Sequence, residues 1–377
     1  MRTRNCQLCL STLLSLCTWF LFGCTSLLAE QPPASPASTT NQLPKEPLEL
    51  SDSKALFVSG TEGTHTYRIP AIITAKNGDL IAACDARRKS AADLKPQRSI
   101  DIVFRRSIDN GITWTPIELL EHVEDGGCSD PSLVLDSSNG NIFCFYNYMV
   151  RDIANQEFRF YVQKSSDHGK TWEKPIDFTD QVAGPELKSS FKFVTSGRGI
   201  QTRDGVLLHN YVRVGKGVTL FASLDHGNSW KSFCKVSPGD ESKVVQLHDG
   251  SLMVNSRIVP GKRFVHRSSD NGLTWKGSDE WHLPDPQCNA CILQYTSQRD
   301  GYSKDRLIFC NAASIKGRKN LAARSATTEV NPGAKEGSSI PAIQPILKSL
   351  YFATVVSVYC MNLVIRRFDL YALPSKH

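Results

Sequence analysis

One short phrase recurs four times in this chain: Ser-Ile-Asp-Asn-Gly-Ile-Thr-Trp at Ser107 to Trp114, Ser-Ser-Asp-His-Gly-Lys-Thr-Trp at Ser165 to Trp172, Ser-Leu-Asp-His-Gly-Asn-Ser-Trp at Ser223 to Trp230, and Ser-Ser-Asp-Asn-Gly-Leu-Thr-Trp at Ser268 to Trp275. All fit S-x-D-x-G-x-[ST]-W, and their aspartates, Asp109, Asp167, Asp225 and Asp270, stand 58, 58 and 45 residues apart. That interval is longer than a hairpin and shorter than a domain. The chain is therefore read as a radial or stacked array of repeated units.

Each copy has a mechanical reading. An Asp or Asn before Gly supplies the positive φ of a tight turn, the Asp carboxylate accepts hydrogen bonds from the turn backbone, and the Trp packs beneath as the next strand begins. The repeated aspartates are thus structural. One unit every 45 to 58 residues places about six in 377 residues, which predicts an all-β chain: a single six-bladed β-propeller of four-stranded antiparallel blades. Strand-like alternation at Ile100 to Arg106, Phe158 to Lys164 and Val218 to Ser223 supports this, and no long helical period is present.

Residues 1–29 read as an export signal, with Arg2 and Arg4 before an apolar stretch and small residues ending at Ala29. Leu21-Phe22-Gly23-Cys24 leaves lipid anchoring through Cys24 as an alternative, and either processing implies an exported protein, secreted or periplasmic. Residues 30–50, rich in Pro, Ser and Thr, read as a disordered spacer before a propeller over 51–377. Removal after Ala29 leaves eight cysteines, scattered as buried thiols rather than as a disulfide framework. Cys288-Asn-Ala-Cys291 is a single CxxC, and the histidines form no H-x-x-x-H set, so no metal is expected. The net charge of +7 comes without a Lys/Arg run, which suits a small anionic ligand and argues against nucleic acid. Leu350 to Ile365 is too short and too β-branched for a membrane span and reads as closing strands.

Upstream of the first repeat lies Thr66-Tyr67-Arg68-Ile69-Pro70, then Asp85-Ala86-Arg87-Arg88 and Ala91-Ala92-Asp93-Leu94. Arg-Ile-Pro ahead of repeated Asp boxes is similar to the exo-acting sialidases, or neuraminidases, of bacterial and animal type. The likeness runs from about Ala55 to Arg324. In that family three arginines clamp the carboxylate of sialic acid, a task suited to planar guanidinium groups that donate paired charge-assisted hydrogen bonds. The resemblance assigns these roles to Arg68, to Arg257 sixteen residues after Glu241, and to Arg318, with Arg324 as the rival for the third. It makes Asp93 the acid/base on a loop, places Asp101 in a strand, and counts Arg87 and Asp130 among substrate-binding residues. Asp130 and Arg198 fall on the glycerol or N-acyl side of the sugar, unless they form a buried structural pair.

The family's nucleophile is a tyrosine deprotonated by a glutamate, here Glu241. A neutral phenol can approach an anomeric carbon that bears a carboxylate, whereas a second anion would be repelled. The usual Ser-[AG]-Tyr-Ser-Asp-Leu phrase is absent; Tyr351 in Ser349-Leu350-Tyr351-Phe352 is the best substitute and Tyr359 the next. A fifth box is also missing after Arg324, so the last blade reads as divergent or shortened. What the resemblance implies is a cofactor-independent, retaining exo-sialidase acting on sialylated glycoproteins, glycolipids or oligosaccharides. The alternatives are a catalytically impaired sialic-acid-binding propeller and an Asp-box propeller serving protein interaction or another glycan.

Overall fold

A computed structural model describes residues 54–94, 99–124, 126–150, 157–187, 190–280, 282–327 and 344–345. The strands β1 (Thr66–Thr74), β2 (Leu80–Arg87), β3 (Ile100–Ser107) and β4 (Glu118–Glu121) form a first antiparallel blade in that order. A second blade holds β5 (Gly126–Leu135), β6 (Ile142–Val150), β7 (Phe158–Ser165) and β8 (Ile176–Asp177). After one short helix, α1 (Thr179–Val182), come β9 (Lys192–Val194), β10 (Gly197–Arg198), β11 (Ile200–Gln201), β12 (Leu207–Arg213), β13 (Gly217–Ser223) and β14 (Lys231–Val236). Here β10 joins the second blade by pairing in parallel with β5, while β9 and β11 flank the third blade by pairing with β12. The fourth blade is β15 (Ser242–Gln246), β16 (Leu252–Arg257), β17 (Arg263–Ser268) and β18 (Lys276–Glu280). The fifth is β19 (Cys291–Thr296), β20 (Arg306–Ala312), β21 (Leu321–Thr327) and β22 (Gln344–Pro345).

Two expectations need correction. The propeller has five blades among the described residues rather than six, and the second and third blades carry five strands rather than four. Dividing the whole length by the repeat spacing counted residues 1–50 as well, although the first strand among the described residues begins only at Thr66. The extra strands arise because the segment between the second and third blades lays β9, β10 and β11 along two sheets before the next meander starts. The leader, the spacer, the Leu350 to Ile365 segment and the last-blade reading lie outside the described residues. Among the described residues no helix is long and apolar enough to cross a membrane.

All four Asp boxes join the third and fourth strands of a blade, with the box serine as the third strand's last residue. At the third box, Asp225 Oδ1 accepts from Ser229 N at 2.9 Å and Ser223 Oγ at 2.7 Å, Oδ2 accepts from Ser229 Oγ at 2.6 Å, and Ser223 Oγ accepts from Gly227 N at 2.7 Å. Asp109, Asp167 and Asp270 repeat this pattern. The turn's own donors hold all four carboxyls down at about 2.

The box also fixes the next contact outward. Trp172 meets Phe104 of the first blade with ring centroids 6.0 Å apart, and Trp230 meets Phe145 of the second at 5.0 Å, both edge to face. Such pairs add about 0.5–1.5 kcal/mol beyond area burial. Trp275 packs into the cluster of Leu208, Leu220, Val244 and Val254 between the third and fourth blades. Gly227 has φ +85 and lies so close to Phe143 of the preceding blade that a Cβ would come within 2.1 Å of the ring. Turn geometry and blade spacing therefore both demand glycine there. With the second blade on one face and Leu56, Phe57 and Trp114 packed on the other, β2 is buried at every position, Asp85 and Arg87 included.

Candidate active site

At the ring's axis the first strands of the blades enclose a cavity of about 780 Å³. Of the eight candidate residues, Arg68, Arg87, Asp93, Asp130, Glu241, Arg257 and Arg318 all line it, as does Arg198. Tyr351 and Tyr359 lie outside the described residues. Arg324 is not a lining residue; its Nη1 donates to Asn311 Oδ1 at 2.9 Å within the fifth blade. Asp101 sits in β3 and accepts from Arg88 Nε at 2.6 Å, away from the cavity.

Two inner strands break register where they reach this space. In β1 the pairing with β2 shifts between Arg68 and Ala71, with Ile69 at φ +56. In β5 it shifts between Ser129 and Ser132, with Asp130 at φ +64. Each positive-φ residue is followed by proline, Pro70 or Pro131. Bulges re-aim side chains, and left-handed backbone at a branched residue such as Ile69 costs on the order of 1–3 kcal/mol, so the surrounding sheets must hold it in place.

Asp85, fully buried on β2, ties the two bulged blades together. Its Oδ2 accepts from Arg87 Nη2 at 2.9 Å and Nε at 3.1 Å and from Ser129 Oγ at 2.7 Å, while Oδ1 accepts from Asp130 N at 2.8 Å. Arg87 is thereby aimed at the cavity, where its Nη1 donates to Asp93 Oδ1 at 2.8 Å and Ala91 O at 2.9 Å. Arg68 Nη1 donates to the same two oxygens at 2.9 and 2.8 Å. Asp93 is exposed on the loop after β2. Burial works upward on its carboxyl, but the hydrogen bond from Arg87 and the charges of Arg68, Arg87 and Arg318 outweigh it and leave it below the usual range.

Asp130 is the opposite case. Burial first, then the charges of Asp85 and Glu241, push it up to about 8 against the pull of Arg87 and Asn147. Across the ring, Glu241 immediately precedes β15, Arg257 ends β16, and Arg257 Nη1 donates to Glu241 Oε2. Backbone bonds from Arg257 N to Glu241 O at 3.0 Å and from Asp240 N to Arg257 O at 2.9 Å hold the two residues opposite each other. Arg318 lies exposed in the turn between β20 and β21.

Several lining residues escaped sequence reasoning. Asn147, on β6, bonds Asp130 Oδ2 at 3.3 Å and both backbone groups of Val194. Lys243, buried, and Asn289, half-buried, stand in the cavity wall, and Tyr148, Phe158 and Phe191 form its aromatic side. Lys243 had a signal, since it stands two residues beyond Glu241 in a strand and so on the same face. Asn289 had none beyond its place inside Cys288-Asn-Ala-Cys291, whose two cysteines also line the cavity.

Residues 69–291 match the BNR repeat-like domain family. The chain is 33% identical over 313 residues to a sialidase of Micromonospora viridifaciens, covering 74% of this chain and 47% of that protein. It is 30% identical over 294 residues to a sialidase of Bacteroides fragilis, covering 70% of this chain and 53% of that one. The chain thus spans about half the length of these curated relatives. Among solved structures, Hadza microbial sialidase Hz136 superposes with a TM-score of 0.65 at 26% identity, over 77% of this chain and 60% of its own. A leech intramolecular trans-sialidase superposes with a TM-score of 0.66 at 17% identity, over 78% of this chain and 63% of its own, a likeness of fold. The chain belongs to the sialidase family of Asp-box, BNR repeat-like propellers.

Proposed function

We propose that this protein is an exo-sialidase that releases terminal α-linked sialic acid from glycoproteins, glycolipids or oligosaccharides with retention of configuration. The observation that supports this best is the meeting of Arg68, Arg257 and Arg318 with the carboxylates of Asp93 and Glu241 around one cavity. Three guanidinium groups from three blades suit a ligand carboxylate that is always ionised. Arg87 and Asp130 would then contact the sugar beyond the carboxylate.

Asp93 is assigned the acid/base role. In the free protein its carboxylate is held by Arg68 and Arg87, which favours the ionised form. A substrate carboxylate competes for Arg68, and an Asp93 released from that pair loses part of what keeps its pKa low. Desolvation by the bound sugar acts in the same direction, toward the protonated acid needed at the leaving oxygen. Glu241 is assigned as base to a nucleophilic tyrosine, Tyr351, which attacks the anomeric carbon as the aglycone leaves with the proton from Asp93. Water, deprotonated by Asp93, then opens the glycosyl-tyrosine bond, and the phenol oxygen recovers its proton from Glu241. Two displacements at one carbon give net retention. The fixed arginines also stabilise the oxocarbenium-like transition state, and the chemistry calls for no cofactor. The leader is assigned to export.

A second reading, an impaired sialic-acid-binding propeller, draws on one observation: the sequence around Tyr351 departs from the family phrase. Proton NMR of an α-sialoside with the protein separates the two. The enzyme reading expects the α-anomer of free sialic acid to appear first and Tyr351→Phe to abolish it. Saturable binding without any released sugar would favour the binder.

A further inference from the structure

The inner strands of the ring have two ends, and each end borders a cavity. Their starts, as at Glu241 before β15 and Cys291 on β19, line the candidate active site, whereas their later residues, as at Gln246 and Gln294, line a second cavity of about 590 Å³. Arg198 and Leu293 border both.

Three glutamines mark the second cavity at equivalent places in successive blades. Gln201, Gln246 and Gln294 stand on β11, β15 and β19 and pair across the sheet with Leu207, Leu252 and Leu307 of the next strand. The first two are clasps between blades. Gln201 Oε1 accepts from Ser137 N of the second blade at 2.8 Å, and its Nε2 donates to Gly205 O of its own turn at 3.2 Å. Gln246 repeats this one blade further on, accepting from Arg203 N at 2.9 Å and donating to Gly250 O at 3.1 Å. Five residues separate Gln201 from Leu207 and Gln246 from Leu252, but twelve separate Gln294 from Leu307. This longer turn, with a 3-10 segment at Gln298–Asp300, breaks the pattern. Gln294 is half-buried, and among the described residues its carboxamide has no hydrogen-bond partner. Its acceptor and two donors are left to the cavity, which Arg203 and Asp300 also line. A position that departs from the rule of its own repeat is where function rather than shape is expected.

We propose that this second cavity binds a neutral saccharide through the Gln294 carboxamide, the Arg203 guanidinium and the Asp300 carboxylate, against an apolar wall of Ile200, Val245 and Leu293. Vicinal sugar hydroxyls both donate and accept, and these three planar groups offer both capacities together. Asp300, close enough for its charge to act on Arg203, counts against an anion. A few convergent polar groups beside apolar walls are the usual form of a small-ligand site, and here the apolar side chains suit the C–H face of a pyranose. The site is separate from the arginine clamp and does not depend on the chemistry proposed there.

Ligand-observed NMR titration of the full chain with lactose, N-acetylglucosamine, methyl α-mannoside and inorganic phosphate tests this. Saturable binding of at least one sugar is expected, weakened about tenfold in Gln294→Leu and unchanged in Arg257→Ala, which alters the other cavity. Gln294→Glu, which keeps an acceptor and removes the amide donors, should also weaken it and serves if Gln294→Leu does not fold. Thermal denaturation gives a second readout. Gln246→Leu breaks a clasp and should lower the midpoint by about 2–4 °C, whereas Gln294→Leu should leave it in place. The proposal is overturned by no sugar binding, by binding lost in Arg257→Ala instead of Gln294→Leu, or by phosphate bound in place of sugar. A Gln294→Leu midpoint as low as that of Gln246→Leu would make Gln294 a third clasp and overturn it too. None of these readouts needs turnover, so an inactive wild-type protein would count against the sialidase reading alone.

Discussion

Asp225 and Asp130 are the same side chain in two halves of one propeller. At the Asp-box end, Asp225 is answered by donors from its own turn, all within six residues of chain, and is held at about 2. At the cavity end, Asp130 faces Asp85 from another blade and Glu241 from the far side of the ring, and is pushed up to about 8. The first environment is written locally and repeated four times. The second exists only once the ring has closed, and there carboxylates are set against one another and offset by arginines. A box aspartate maintains shape, whereas Asp130 in the cavity is held toward its protonated form.

The widest separation between the two ends should be in catalysis. Asp93→Ala is expected to cost about 10²–10⁴-fold in kcat on a sialoside with a poor leaving group, with little change in thermal midpoint. Arg257→Ala should weaken sialic acid affinity by about 10–100-fold, measured by calorimetry, because a charge-assisted bond is lost. If Asp225→Ala gave a catalytic loss of the same size in a fully folded protein, the division between the two ends would collapse.

Gly227→Ala probes the box end through packing. The strained φ and the Phe143 ring leave no room, so a drop in thermal midpoint larger than for any single cavity substitution is expected.

The pH dependence of stability has opposite signs at the two ends. Asp130 is raised above its unfolded value, so the folded protein retains its proton between about pH 4 and 8, and stability falls as pH rises through that window. Asp130→Asn should remove up to one proton's worth of slope there. The four box aspartates are lowered to about 2; their contribution is full above about pH 4 and is lost as pH falls toward 2. Asp225→Ala is expected to flatten the acid side alone and to lower the midpoint near neutrality by about 2–4 °C.

What was legible in the sequence follows the same division. The boxes could be read in full because their hydrogen bonds run between residues two to four apart, as from Ser107 and Thr113 to Asp109. Arg68, Glu241 and Arg257 were found through motif likeness and interval, and the structure places them on one cavity. The likeness favoured Arg318 over its rival Arg324, and the fold puts the first in a turn lining the cavity and turns the other toward Asn311. Blade number was misjudged because the whole length was divided by the repeat spacing, whereas the five described blades take their strands from Thr66 to Pro345. Asn147 carried no mark, and Asp85 and Asn289, though they stand in quoted segments, gave no sign of their partners: Asp85 reaches 44 residues along the chain to Ser129, and Asn289 reaches 93 to Ser196.

Hydrolysis of a fluorogenic α-sialoside by the full chain, beside Asp93→Ala and Arg257→Ala of equal thermal stability, tests the central claim most directly. The expected result is turnover by the wild type, a collapse of kcat/KM in Arg257→Ala, and a loss of kcat in Asp93→Ala that is greater for natural linkages than for the fluorogenic leaving group. A folded wild type without turnover, or turnover indifferent to both substitutions, would contradict it.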